Sequence, residues 1–170
     1  MVPSVATKAR IKVADEVWLA AAVLHRMHPE RFDFSIEEIM QSGRSLVGEG
    51  IGGALRPGFY VHVVQHCVAN RPPQPGRNRM LLETGPGRRR LFRPGDYYHP
   101  EREGAKTIPN REDLPYAYSG LLNWYQDWCS EAKNKGMAED PLLALRGSGR
   151  KAWADEHADE YVRRLREGWE

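Results

Sequence analysis

An α+β fold is what this 170-residue chain predicts: helices first, a β-hairpin after them, then an added C-terminal helix and a flexible helical tail. Three observations carry that prediction. Apolar residues recur at helical spacing in two stretches ahead of a third, residues 59–70, in which His and Gln sit among valines. Two short apolar stretches then flank Gly85-Pro-Gly-Arg88, the pattern of a hairpin. The charge is also uneven. Residues 56–111 hold eleven Lys/Arg against four Asp/Glu, whereas residues 112–170 hold eight against twelve. A basic middle and an acidic end point to a polyanion-binding face and a separate partner-binding segment.

Residues 1–9 read as a loose leader. From Ile11 onward Val13, Val17, Ala20, Ala21 and Leu24 share one helix face, widened by Trp18 and Leu19, and His28-Pro29 ends the helix. Phe32 and Phe34 fall in the connection that follows. Ser35-Ile-Glu-Glu38 places a hydroxyl three residues before a carboxylate, the form of a capping box, and predicts a second helix over 35–42 with Ile36, Ile39 and Met40 inward. Residues 43–58 contain Gly43, Gly48, Gly50, Gly52, Gly53 and Gly58. A phosphate-cradling loop would need a strand before it and Lys-Ser/Thr after it. Neither is present, so a flexible connection is expected.

Pro57 suits the start of the third helix. Val61, Val64 and Val68, at i, i+3 and i+7 with Cys67 beside them, predict its inner face; Tyr60, His62, Val63, Gln65 and His66 fall on the outer side. Asn70 and Pro72-Pro73 end it. Strands are expected over 80–84 and 90–92, with Arg88, Arg89 and Arg90 at the hairpin tip. Arg93-Pro-Gly-Asp96 turns the chain, residues 97–110 are irregular, and a helix spans 116–133 with Tyr118, Leu121, Leu122, Tyr125 and Trp128 on one side and Trp124 adjacent. Asn134-Lys-Gly-Met137 closes a first domain, residues 1–133. Residues 134–170 form a second segment. Arg146-Gly-Ser-Gly-Arg150 is a basic hinge within it, and Ala158, Tyr161, Val162, Leu165 and Trp169 form a narrow stripe suited to docking.

Several chemistries are excluded. Two cysteines, Cys67 and Cys129, make no disulfide framework, and no apolar run is long enough to span a membrane, so a cytoplasmic protein with reduced thiols is expected. His62 and His66 are four residues apart, but no glutamate lies between them as in H-E-x-x-H and there is no C-x-x-C. No metal and no cofactor is therefore expected. His66 and Cys67 are adjacent on a helix and point about 100° apart, so they form no nucleophilic pair. No carboxylate cluster suggests hydrolysis. The chain predicts no catalytic residue and no enzyme.

Helix, helix, helix, hairpin is the order of a winged helix-turn-helix. Tyr60, His62, Gln65 and His66 would then face bases or phosphates in a major groove, and Arg88, Arg89 and Arg90 would reach the backbone or minor groove, with binding that weakens steeply in salt. Tyr60-Val-His-Val-Val-Gln-His-Cys-Val-Ala-Asn70, followed by Arg79-Met-Leu-Leu-Glu-Thr-Gly-Pro-Gly-Arg-Arg-Arg-Leu-Phe92, resembles a bacterial winged-helix family with an H-x3-H-C-x2-N helix and a GxGRxRL wing. The resemblance covers about residues 11–130. It implies binding of double-stranded DNA by the third helix and the wing.

The tail, Leu145-Arg-Gly-Ser-Gly-Arg-Lys-Ala-Trp153 and the stretch to Trp169, resembles the C-terminal segment of antitoxins of the VapB type, which neutralise PIN-domain ribonuclease toxins. That resemblance implies that Trp153 fills a groove on the toxin, that Arg150 or Lys151 reaches its acidic metal site, and that Tyr161, Val162, Leu165 and Trp169 dock the terminal helix. Such antitoxins carry a small swapped-hairpin or ribbon-helix-helix domain, and this chain has a larger one. Two alternatives stay open: a stand-alone reader of modified or foreign DNA whose tail packs on its own core, and an interaction adaptor that binds no nucleic acid. A homodimer is compatible with either.

Overall fold

The computed structural model describes residues 11–46 and 54–139. Two compact units divide the chain, Met1–Cys129 and Ser130–Glu170. In the first, helix α1 (Val13–Met27) is followed by strand β1 (Phe34–Ser35), helix α2 (Ile36–Leu46), a short helix α3 (Gly58–Val61) that widens into a π-turn (His62–His66), strand β2 (Leu81–Gly85) and strand β3 (Arg88–Leu91). Three single 3-10 turns, Pro100–Arg102, Arg111–Asp113 and Tyr116–Tyr118, lead to helix α4 (Gly120–Glu139). Of the second unit, only the end of α4 is described.

α1 is the hub. Its expected stripe is present, but burial goes further, since Val17, Trp18, Leu19, Ala20, Ala21 and Ala22 are all at most 1% exposed. Ala20, Ala21 and Ala22 keep this part of the helix thin, and α2 packs against it, with the Ser42 hydroxyl donating to the Ala20 carbonyl at 2.9 Å. Asp15 is fully buried at the start of α1 and accepts two hydrogen bonds from Lys106 Nζ, at 2.8 and 3.1 Å. A buried carboxylate is tolerated only with such a partner.

α2 begins as its sequence predicts. The Glu38 N–H donates to Ser35 Oγ at 3.2 Å and the Ser35 N–H donates to Glu38 Oε2 at 2.7 Å, the reciprocal capping box. With Arg31 also bound to it, the Glu38 carboxyl is held down to about 2, the Arg31 contact being the larger cause. The helix runs to Leu46, four residues beyond the expected end, and takes Gly43 with it. Gly43 is needed there: a Cβ would lie 2.6 Å from Phe59 Cζ, so a glycine lets α3 approach α2.

The sheet is antiparallel in the order β1-β3-β2. β1 was not legible as a strand. Its two residues pair Phe34 with Arg89 and Ser35 with Arg88, and they extend because the capping residue ahead of a helix takes a β conformation. β2 and β3 pair Leu81 with Leu91 and Leu82 with Arg90, with an irregularity between Glu83 and Gly85. The hairpin closes through Pro86 and Gly87, whose φ of +65° is the left-handed region that favours glycine. The Ile36 N–H donates to the Gly87 carbonyl at 3.0 Å, tying α2 to the turn.

α4 begins at Gly120, after a 3-10 turn at Tyr116–Tyr118, and continues through Gly136 to Glu139. Asn134-Lys-Gly-Met137 therefore does not end it; one interior glycine costs a helix only about 1 kcal/mol. Leu121, Leu122 and Tyr125 are buried as expected, and Trp18 meets Tyr125 edge to face at 5.7 Å.

His25 sits in this core, 1% exposed, between Phe34 and Trp128, and its Nε2 accepts from the Leu91 N–H at 3.3 Å. Burial first, and the Arg93 and Arg90 charges second, lower its pKa from 6.5 to about 3. A depressed histidine stabilises the fold fully above the unfolded value, and that contribution is lost as pH falls from 6.5 toward 3. Stability should therefore decline by up to about 1.4 kcal/mol per pH unit between pH 6.5 and 5, above the range in which carboxylates titrate. His25→Gln should flatten that slope in urea unfolding series, with His66 leaving a small residue; an equal slope in the variant would contradict the assignment.

Candidate nucleic-acid interface

The stretch expected as one long helix folds differently. Valines at 61, 63 and 64 lose rotamer freedom in a helix and propagate it poorly. One α-turn forms over Gly58–Val61, then the Cys67 N–H reaches back five residues to the His62 carbonyl at 3.0 Å. Phe59, Val63, Cys67 and Val68 face the core, each at most 1% exposed, whereas Val61 is 42% exposed. The expected inner face of Val61, Val64 and Val68 is thus corrected: only Val68 and Cys67 hold. By Cys67 the helix is over. The Met80 and Leu81 N–H groups both donate to the Cys67 carbonyl, and Val68 bridges Leu81 in parallel.

Asn70 does more than stop a helix. Its side-chain amide donates to the Glu83 carbonyl and accepts from the Glu83 N–H, both at 2.9 Å, so it pairs with the edge of β2 as another strand would.

Two buried arginines hold the carbonyl end of the π-turn. Helices leave their last carbonyls without intrahelical partners, and burial makes that costly. Arg89 is 1% exposed; its Nε donates to the Val63 carbonyl at 3.2 Å and its Nη2 to the Val64 carbonyl at 3.4 Å. Arg102 is 0% exposed and places all its donors on carbonyls: Nε on Arg71 (2.6 Å), Nη1 on His66 (3.0 Å) and Asn78 (2.7 Å), Nη2 on Gln65 (2.9 Å) and Pro72 (3.4 Å). Their positive charge also suits the negative end of a helix dipole. Arg102 was not identified in the sequence. It lies in a stretch without periodicity, and nothing local distinguishes it from the surface arginines.

This arrangement changes the roles expected for Arg88, Arg89 and Arg90. They do not gather at the tip, which is Pro86 and Gly87, but lie along β3. Arg88 is 41% exposed and paired with Asp33, which also accepts from Thr84 Oγ1 at 2.6 Å. Arg89 adds an ion pair with Glu83 at 3.1 Å to its carbonyl contacts. Arg90 is 8% exposed at its side chain and bound bidentately to Asp96 at 2.8 and 2.6 Å. Arg89 and Arg90 are therefore internal supports, and Arg88 alone of the three reaches solvent. The alternation of a strand explains part of this, since successive residues point to opposite faces. The basic excess is offset in the same way: of the eleven Lys/Arg in residues 56–111, Arg56, Arg71, Arg88, Arg89, Arg90 and Lys106 pair with carboxylates.

The outward residues include no Lys or Arg. Tyr60 is 54% exposed and His62, Gln65 and His66 are half-buried. The Gln65 side chain donates to the Pro72 carbonyl at 2.6 Å, and His62 Nδ1 lies 2.8 Å from the Gly58 carbonyl. Burial, with His62 adding to it, holds His66 below the ordinary histidine value. Burial pushes the Cys67 thiol up to about 12, so it is an inert core residue. An open cleft of about 590 Å³ lies beside the hairpin, lined by Arg71, Glu83, Thr84, Gly85, Pro86 and Gly87. Among the described residues no group of three or more His, Cys, Asp or Glu is placed to hold a metal ion, and no helix is long and apolar enough to cross a membrane. Arg150, Lys151, Trp153, Tyr161, Val162, Leu165 and Trp169 lie outside the described residues.

Arg102→Met should destabilise the fold by about 3 kcal/mol, because buried carbonyls lose their donors. Arg102→Lys should recover little of that, since one ammonium cannot span carbonyls from three chain segments. Chemical denaturation of both variants measures this, and full recovery by lysine would contradict the clamp. Comparison of the chain with protein-family models, curated proteins and solved structures finds no match.

Proposed function

We propose that this chain is a DNA-binding, antitoxin-like regulator. Its winged helix-turn-helix reads operator DNA through the third helix and the wing, and its tail neutralises a PIN-domain ribonuclease toxin. The observation that carries the first half is the connectivity: α1, α2 and α3 precede a hairpin whose inner strand β3 is flanked by β1, α3 exposes Tyr60 and Val61, and the π-turn leaves His62 and Gln65 half-exposed. In this reading the groove-facing contacts come from Tyr60, His62, Gln65 and His66, and the wing contributes Arg88 beside the slim Pro86-Gly87 tip. Arg89 and Arg90 act from inside by holding the turn and the hairpin in place. The second half rests on the tail's residues, Arg150 to Trp169. The partners are double-stranded DNA and a toxin encoded nearby, in the cytoplasm, with no catalysis by this chain.

A second reading, a stand-alone reader of modified DNA, draws on one feature. Tyr60 and Val61 are adjacent and exposed, 54% and 42%, and apolar groups on a reading helix suit base methyl groups in the major groove.

Arg88→Ala should weaken binding to duplex DNA and reduce the slope of log K against log salt by about one phosphate equivalent. Tyr60→Ala should weaken binding with the slope unchanged. Fluorescence anisotropy across a salt series separates the two effects, and wild-type protein that shows no affinity for duplex DNA would sink the reading. Removing residues 145–170 should leave DNA affinity intact and abolish co-purification with the product of the adjacent gene. Retained co-purification would remove the tail from the toxin interface.

A further inference from the structure

His62 and His66 were set aside as metal ligands because the surrounding pattern lacks further ligands. Their geometry adds an observation that spacing alone lacks. The two rings lie with centroids 4.7 Å apart and planes at 77°. Two imidazoles sharing one tetrahedral ion at 2.0–2.1 Å place their centroids about 5 Å apart. His62 also has one ring nitrogen committed to a backbone carbonyl, Nδ1 to Gly58 at 2.8 Å. That contact fixes the tautomer, orients the ring and leaves the other nitrogen as the lone-pair donor, as second-shell contacts do for metal-binding histidines.

We infer that His62 and His66 form a two-point site for a borderline divalent transition ion such as Zn2+, with His62 binding through Nε2 and water filling the remaining positions. Hard ions such as Mg2+ prefer oxygen and are not taken. The Arg102 guanidinium, which donates to the His66 carbonyl at 3.0 Å, opposes the ion and keeps the site weaker than a closed structural one. This inference does not depend on the DNA reading. The site sits on the outward side of the π-turn in either case.

The test is Zn2+ titration of the full chain by calorimetry at pH 7.5. His28, His99 and His157 are replaced together by glutamine, leaving His62, His66 and the core His25. Saturable binding that falls at least about tenfold on adding His62→Gln or His66→Gln, with no response to Mg2+, supports the site. Should a variant fail to fold, imidazole nitrogen shifts in the wild-type chain decide: Zn2+ moves one nitrogen of each of His62 and His66 if the site is real. No Zn2+ binding, equal affinity in both variants, or shifts at neither ring would overturn it.

Discussion

A buried helix end with nowhere to place its carbonyls is the constraint on which this fold depends. The chain between Gly58 and His66 is too rich in β-branched residues to run on as an α-helix, and it ends inside the protein rather than at the surface. Four successive carbonyls, Val63 to His66, are taken by two buried guanidiniums. Arg89 arrives from the sheet and Arg102 from the 3-10 turn beyond it. The same two side chains thus fasten the hairpin, the proline-rich connector at Arg71 and Pro72, and the segment at Asn78 to one turn of helix. Arginine suits this role because its planar fork carries five donors and keeps its charge when buried.

That arrangement governs how charge is used. The strong positive excess of the middle of the chain reads as an interface, yet much of it is structural: it closes the Arg93–Asp96 turn through Arg90, pins Asp33 to the hairpin through Arg88, and answers buried Asp15 through Lys106. On the proposed reading, a nucleic-acid surface here would draw on fewer free cations than the composition suggests, and on a π-turn that carries no Lys or Arg. Affinity for DNA on this account comes from groove contact as much as from phosphate neutralisation, and a moderate salt dependence follows.

Local signals in the sequence were reliable where the chemistry is local. The Ser35–Glu38 capping box appears in both of its hydrogen bonds, the α1 stripe is buried, and the hairpin turns at Pro86-Gly87. What could not be read depended on distant partners. β1 is two residues long and becomes a strand only because β3 lies beside it. The buried face of α3 differs from the expected one because Phe59, Val63 and Cys67, at i, i+4 and i+8, share the inner side and leave Val61 opposite. Arg88, Arg89 and Arg90 look equivalent in sequence, and only the positions of Asp33, Glu83 and Asp96 separate them. Arg102 carried no signal, since its partners are carbonyls that every residue possesses.

The clamp is also open to direct observation in solution. In an NMR experiment on the labelled full chain, the Nε–H and Nη–H protons of Arg89 and Arg102 should exchange with water far more slowly than those of exposed arginines such as Arg26 and Arg77. Through-hydrogen-bond couplings should link the Arg102 guanidinium to the Gln65 and His66 carbonyls. Guanidinium protons of Arg102 that exchange as fast as those of Arg77 would show that the helix end is held in some other way, and the account of this fold would fail at its centre.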